Sequence, residues 1–257
     1  MFRPLSSRAF TTPFSAGRVT PLSAGLLVGC LVLGVAFVLR ERAVGAPMLD
    51  LALFRRAGFS AGISSGLLSY LVMFGALFAV PFYLESGPAH LSAGSTGLLL
   101  TAMPVALGLV APVAGRAADR VGARPLTVAG MLLSAASLAG LGLTHPTGLA
   151  VLPPLVVLGV GLGLFTPANN AAVMAGVPRD HAGVASGVLN MTRGLGTALG
   201  LAVSSLALGV VAGSGVRAPS LVASGFTAAA LTLAVAAMAA AALSRLRGGG
   251  GLQTSSR

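Results

Sequence analysis

Residues 115–125 read GRAADRVGARP, between two long apolar runs, LLLTAMPVALGLVAPVA before and LTVAGMLLSAASLAGLGL after. The chain holds five acidic residues in 257, and one of them, Asp119, stands here among three arginines. A short charged stretch between apolar runs is what a polypeptide needs where it leaves a bilayer and returns to it. The reading of the whole chain follows from that setting.

Composition agrees with it. Hydrophobic residues make up 55% and charged residues 8%, whereas a soluble domain carries about 25% charged residues. Such a chain cannot cover a globular surface with polar groups, so its partner on most sides is the lipid bilayer. The net charge of +11 does not mark a nucleic-acid binder. The arginines form no single face or run, and two tyrosines without tryptophan give little for base stacking. All sixteen basic residues are Arg. The absence of lysine excludes a retinal Schiff base and a Walker-type phosphate loop. Cys30 stands alone in an apolar run and has no intrachain disulfide partner. No HExxH, GxSxG or metal-spaced Cys/His cluster occurs, so no enzyme is expected, and no cofactor or metal.

Charges mark the spans. Residues 19–39, 57–84, 86–115, 125–178, 194–216 and 218–244 are charge-free, and a helix needs about 20 apolar residues to cross the hydrocarbon core. The stretch 125–178 allows two crossings, broken at His145–Gly148, HPTG. The runs are continuous rather than alternating, which favours helices over a barrel. The expected fold class is therefore all-α, a polytopic membrane helix bundle of about seven transmembrane helices at 21–39, 58–83, 94–114, 126–143, 149–175, 185–211 and 222–244. With the 115–125 loop inside the cell, twelve arginines lie inside and four (Arg3, Arg8, Arg18, Arg217) outside. That asymmetry predicts a cytoplasmic C-terminus.

Local physics assigns roles within the opening stretch. Asp119 is expected in a loop just before a helix near Pro125, where the helix dipole favours an anion. Arg116 closes the preceding helix. Gly115 is expected to let two helices approach, and Gly122 to make a tight turn. A plain polar hairpin is the competing reading.

Gly115, Asp119, Arg120, Gly122 and Arg124 resemble the G-x-x-x-D-R-x-G-R signature of the major facilitator superfamily. Ala117 and Ala123 depart from it, where leucine and a basic residue are usual. In that family the signature lies between the second and third helices of each six-helix half. Two expected helices precede it here, after the one at 21–39, and four follow. PMLDLALFRRAGFS at 47–60, VPFYLE at 80–85 and GVASGVLNMTRGLGTALGLAV at 183–203 look like the fourteen-span drug/proton antiporter branch. The resemblance implies a secondary transporter of the efflux type in a bacterial inner membrane, acting by proton antiport on a small lipophilic or cationic substrate. It also implies a chain that is the C-terminal half, whose partner is a missing N-terminal transporter half. The expected organisation is a tail at 1–19 that is a remnant loop, an extra transmembrane helix and inner loop at 20–57, the six-helix half at 58–244, and a disordered cytoplasmic tail at 245–257. The alternative is a non-transporting membrane fragment or assembly partner.

The residues add a constraint of their own. Glu41, Asp50, Glu85, Asp119 and Asp180, with His90, His145 and His181, all fall in loops or at helix ends. No expected span carries a proton acceptor, though coupling to protons needs one in the pathway. The polar groups within spans are few: Tyr70, Met73 nearby, Asn169, Asn170, Asn190, Thr192 and Arg193. These are the candidate pathway-lining residues, with helix-to-helix bonding as the competing role and, for Arg193, extension to the inner surface. Gly183/Gly187, Gly196/Gly200 and Gly159, Gly161 and Gly163 are expected to form packing seams.

Overall fold

Long apolar runs in lipid must satisfy their backbone within one helix, and these do. The computed structural model describes residues 57–88, 90–212 and 219–246, and four helical positions, Val32, Ala36, Leu39 and Arg40. The rest of the expected helix at 21–39, its inner loop and both tails lie outside the described residues.

Six described helices are long and apolar enough to cross a membrane. They are α1 (Ala57–Ser86), α2 (Ala93–Val121), α3 (Ala123–Thr144), α4 (Leu152–Ala175), α5 (Ala182–Ala212) and α6 (Pro219–Leu246). One 3-10 turn, Gly148–Val151, leads into α4. The HPTG break falls as expected: His145 takes φ 48° and Gly148 φ 56°. α2 is interrupted at Thr101 because Pro104 has no N–H for the Leu100 carbonyl. The Thr101 hydroxyl donates instead to the Leu98 carbonyl at 2.6 Å.

The expected inner loop is shorter than the sequence suggested. α2 runs on to Val121 and α3 begins at Ala123, so Asp119 and Arg120 ride in the last turn of α2. The reason is local. Ala117 and Ala118 are strong helix formers, and Arg116 and Arg120 suit a helix C-terminus. The reversal falls on Gly122 alone, at φ 84°, a conformation costly for any residue with a Cβ. Likewise α5 begins at Ala182 rather than 185, after a turn at Arg179–His181.

The helices form two layers. α1 packs along α5 and α6, α3 along α4 and α6, and α2 along α4, while α1 and α4 meet between them. The front layer therefore runs α5, α1, α4, α2, with α6 and α3 behind. Glycines on α4 set this order. A Cβ at Gly161 would lie 2.5 Å from the Gly130 carbonyl of α3, and one at Gly163 would lie 3.0 Å from the Leu107 carbonyl of α2. Gly159 abuts the Met103 carbonyl, also on α2. On α5, Gly196 and Gly200 lie against Leu67 and Leu71 of α1. These seams match expectation. Gly183, Gly187 and Gly115 do not, for a Cβ at any of them would have nothing within 4 Å.

Polar ties reinforce most seams. The Ser204 hydroxyl donates to the Gly75 carbonyl at 3.1 Å, joining α5 to α1. That of Thr227 donates to the Gly142 carbonyl at 2.8 Å, joining α6 to α3. Ser137 donates to the Pro154 carbonyl at 2.5 Å, joining α3 to α4. At the end of the bundle away from Gly122 the Tyr83 hydroxyl donates to the His145 carbonyl at 2.9 Å, and the Tyr83 ring stacks on Phe226 at 4.3 Å.

Gly161→Leu and Gly200→Leu each drive a side chain into a neighbouring backbone, and each destabilises the bundle by about 1–3 kcal/mol or more. Gly183→Leu changes it by less than about 0.5 kcal/mol. Thermal unfolding of the three detergent-solubilised variants checks the ranking; equal losses at all three positions would contradict the seams described.

Candidate functional site

The front layer holds a cavity of about 190 Å³ where α1, α4 and α5 meet, lined by Tyr70, Asn170, Met174, Ser186, Leu189, Asn190 and Arg193. Helical spacing assembles it. Ser186, Leu189, Asn190 and Arg193 lie three, four and seven residues apart, which is one stripe of α5. Asn170 and Met174 are four apart on α4. Tyr70 comes from α1 and is 6% exposed.

Arg193 is the organising charge. It is the twelfth residue of the 28-residue apolar span Ala182–Gly209 and is exposed on the helix surface. Its guanidinium carbon lies 5.3 Å from the centre of the Tyr70 ring. Nη2 donates to the Tyr70 hydroxyl at 3.4 Å. A cation over an aromatic face gains about 0.5–2 kcal/mol. The side chain thus turns onto α1, whereas extension to the inner surface was the competing expectation.

Of the seven expected pathway residues, Tyr70, Asn170, Asn190 and Arg193 line the cavity. The other three serve seams. Asn169 is 1% exposed and donates from Nδ2 to the Gly62 carbonyl at 3.1 Å, while the Ser65 hydroxyl reaches its Oδ1 at 3.4 Å. Thr192 is buried and bonds back to the Val188 carbonyl at 2.7 Å. Met73 packs beside the central core cluster. Met174, Ser186 and Leu189 were not anticipated, although each lies one helical turn from a residue that was.

The signature residues are placed differently. Asp119, Arg120, Gly122 and Arg124 are exposed at one end of the bundle, Gly115 is half-buried, and the three charged side chains make no hydrogen bond or ion pair among the described residues. Near that end Asp180 pairs with His181 at 3.2 Å. The hydrogen bond from His181 holds the Asp180 carboxyl below its usual range. The acids of the described spans stand at helix ends, Glu85 in the last turn of α1 and Asp119 in that of α2.

The described residues form a two-layer bundle of six apolar spans, that of a polytopic membrane protein, with a polar, cation-bearing cavity on its front layer. The Major Facilitator Superfamily model matches the chain twice, over residues 9–201 and 62–252, and the chain belongs to that superfamily. It is 35% identical over 197 residues to the uncharacterized transporter YebQ of Escherichia coli, covering 76% of this chain and 43% of the relative. It is 33% identical over 181 residues to the riboflavin transporter RibZ of Clostridioides difficile, covering 69% and 39%. It is 34% identical over 183 residues to the tetracenomycin C resistance and export protein of Streptomyces glaucescens, covering 70% and 34%. The chain thus spans less than half the length of these curated relatives.

Asn169→Ala removes the α4–α1 hydrogen bonds to the Gly62 carbonyl and from the Ser65 hydroxyl and destabilises the bundle by about 1–2 kcal/mol. Asn170→Ala, one residue on but facing the cavity, changes stability by less than about 0.5 kcal/mol. Paired melting curves of the two variants decide between seam and cavity for each.

Proposed function

We propose that this chain supplies one six-helix wall of a drug-exporting transporter, which rocks against a second six-helix bundle around the cavity at Arg193. The observation that carries this reading is the uneven burial of the spans. Only 22% of α2 and 28% of α5 is buried within the bundle, against 44–56% for the other four. These two helices flank the front layer. A Cβ added at Gly108, Gly115, Gly183, Gly187 or Gly194 of these helices would meet no other part of the described bundle within 4 Å. Small residues on bare helix faces suit close approach by further helices, and transporter halves enclose their site at the repeat interface. The partial coverage of the relatives agrees with a second bundle supplied from elsewhere.

In this reading the signature end faces the cytoplasm, and Asp119, Arg120 and Arg124 form a latch with the second bundle. It closes in one state of the cycle and opens in the other, and the bareness of these charges in the half-bundle supports it. Drug resistance or export is what the names of several relatives describe, the tetracenomycin C resistance and export protein among them, and these names suggest efflux of small compounds from a bacterial cell. Proton antiport requires a titratable group at mid-depth. That group belongs to the second bundle, because the described spans hold acids only at their ends.

Transport is tested in everted vesicles that carry a pH gradient, with riboflavin, methyl viologen and tetracenomycin C as solutes. The chain joined to the first seven spans of a protein of this branch dissipates the gradient when one solute is added. The chain alone does not. Asp119→Asn in the joined protein slows transport roughly tenfold, the equivalent of one charge-assisted contact. Solute-driven proton movement by the chain alone, or full activity of Asp119→Asn, would overturn the reading.

A further inference from the structure

The cavity at Arg193 is donor-rich, and among the described residues no acid lines it. The guanidinium carries five N–H donors and stays charged at any physiological pH. One donor goes to the Tyr70 hydroxyl at 3.4 Å. The others remain for a guest. The Asn170 and Asn190 amides line the same space, and Ser186 adds a hydroxyl. Met174, Leu189 and the Tyr70 ring form its apolar side. A cationic guest would meet a fixed like charge with no counter-charge in this wall.

Resting on the transporter reading above, we propose that this cavity is the head-group subsite for an organic acid, with Arg193 binding the carboxylate of an aromatic or otherwise apolar substrate. Two observations fix the class. The planar guanidinium matches a carboxylate by two parallel hydrogen bonds, and its stacking on Tyr70 holds it in place. The volume, about 190 Å³, is below the roughly 300–1,000 Å³ of a drug-sized pocket. It takes a head group and leaves the apolar body to the facing wall. The oxyanion in this proposal is a solute's, and the phospholipid arm of the test separates it from a lipid head group. This subsite differs from the expectation of a lipophilic or cationic substrate, and the benzylammonium arm of the test compares the two.

The test uses the 257-residue chain in neutral maltoside micelles, with benzoate, benzamide and benzylammonium as probes of one shape and three charges. Ligand-observed saturation-transfer NMR reads binding. Benzoate binds saturably, and the other two do not. Arg193→Gln weakens benzoate about tenfold or more, the equivalent of a charge-assisted hydrogen-bonded pair. Arg193→Lys falls between. Equal binding of benzoate and benzylammonium, no saturable benzoate binding to the wild-type chain, or unchanged benzoate affinity in monodisperse Arg193→Gln would each overturn the proposal. Should Arg193→Gln aggregate, phenylglyoxal modification of wild-type Arg193, read by mass spectrometry, replaces it. Benzoate slows that modification and benzylammonium does not; equal rates with both would overturn the proposal as well. Phospholipid added to the micelles leaves benzoate binding unchanged, and competition by lipid would assign the site to a head group instead. None of these readouts needs transport, so the subsite and the transporter reading can fail independently.

Discussion

Between apolar helices in lipid there is no hydrophobic force, because a lipid tail is as apolar as a leucine side chain. Association depends on how closely two backbones approach and on the few hydrogen bonds that cross between them. In this bundle that constraint converges on α4. Its glycines at 159 and 163 receive the backbone of α2, and the one at 161 receives α3. From the same helix Asn169 reaches α1. One helix thus holds three neighbours, and the layer order follows from which of its faces is bare of side chains. α2 differs from the others, since its contact with α4 rests on close approach at the two glycines. That is the weaker of the two devices, and it falls on a helix with little buried surface in this half.

The fold was legible where charge and turn residues speak. Uncharged runs gave the six described spans, and HPTG located the break between α3 and α4. Boundaries were misread where charge lay inside a helix. A run such as GRAADRV looks like a loop by polarity, yet its residues favour a helical C-terminus, and the reversal waits for Gly122. Charge marks where a helix leaves the hydrocarbon, not where it ends. Gly115, Gly183 and Gly187 show a second limit. Spacing tells that a helix has a smooth face, but the face acquires a role only when something lies against it.

The site was half legible for a geometric reason. Adjacent residues on a helix point about 100° apart, so Asn169 and Asn170 cannot share a function. Sequence shows two polar groups in an apolar span and does not say which one looks toward α1 and which toward the cavity. The stripe on α5 was easier: Asn190 and Arg193 are one turn apart, and the same spacing extends to Ser186 and Leu189. Thr192 falls off that stripe and bonds to its own helix.

Arg193 carries the argument from packing to chemistry. A cation within an apolar span costs up to about 2.5–3.5 kcal/mol on insertion scales, the full amount applying at the helix centre. Stacking on Tyr70 returns about 0.5–2 kcal/mol, and one hydrogen bond to a neutral hydroxyl adds little to that. The wall contains no carboxylate to close the difference. The remaining stabilisation must come from within the cavity, as water when it is empty and as an oxyanion when it is filled. Water on the exposed Arg193 guanidinium is displaced by a ligand that makes the same hydrogen bonds with a full negative charge. The energetic shortfall of the empty wall is therefore itself a source of affinity, and its sign selects anions.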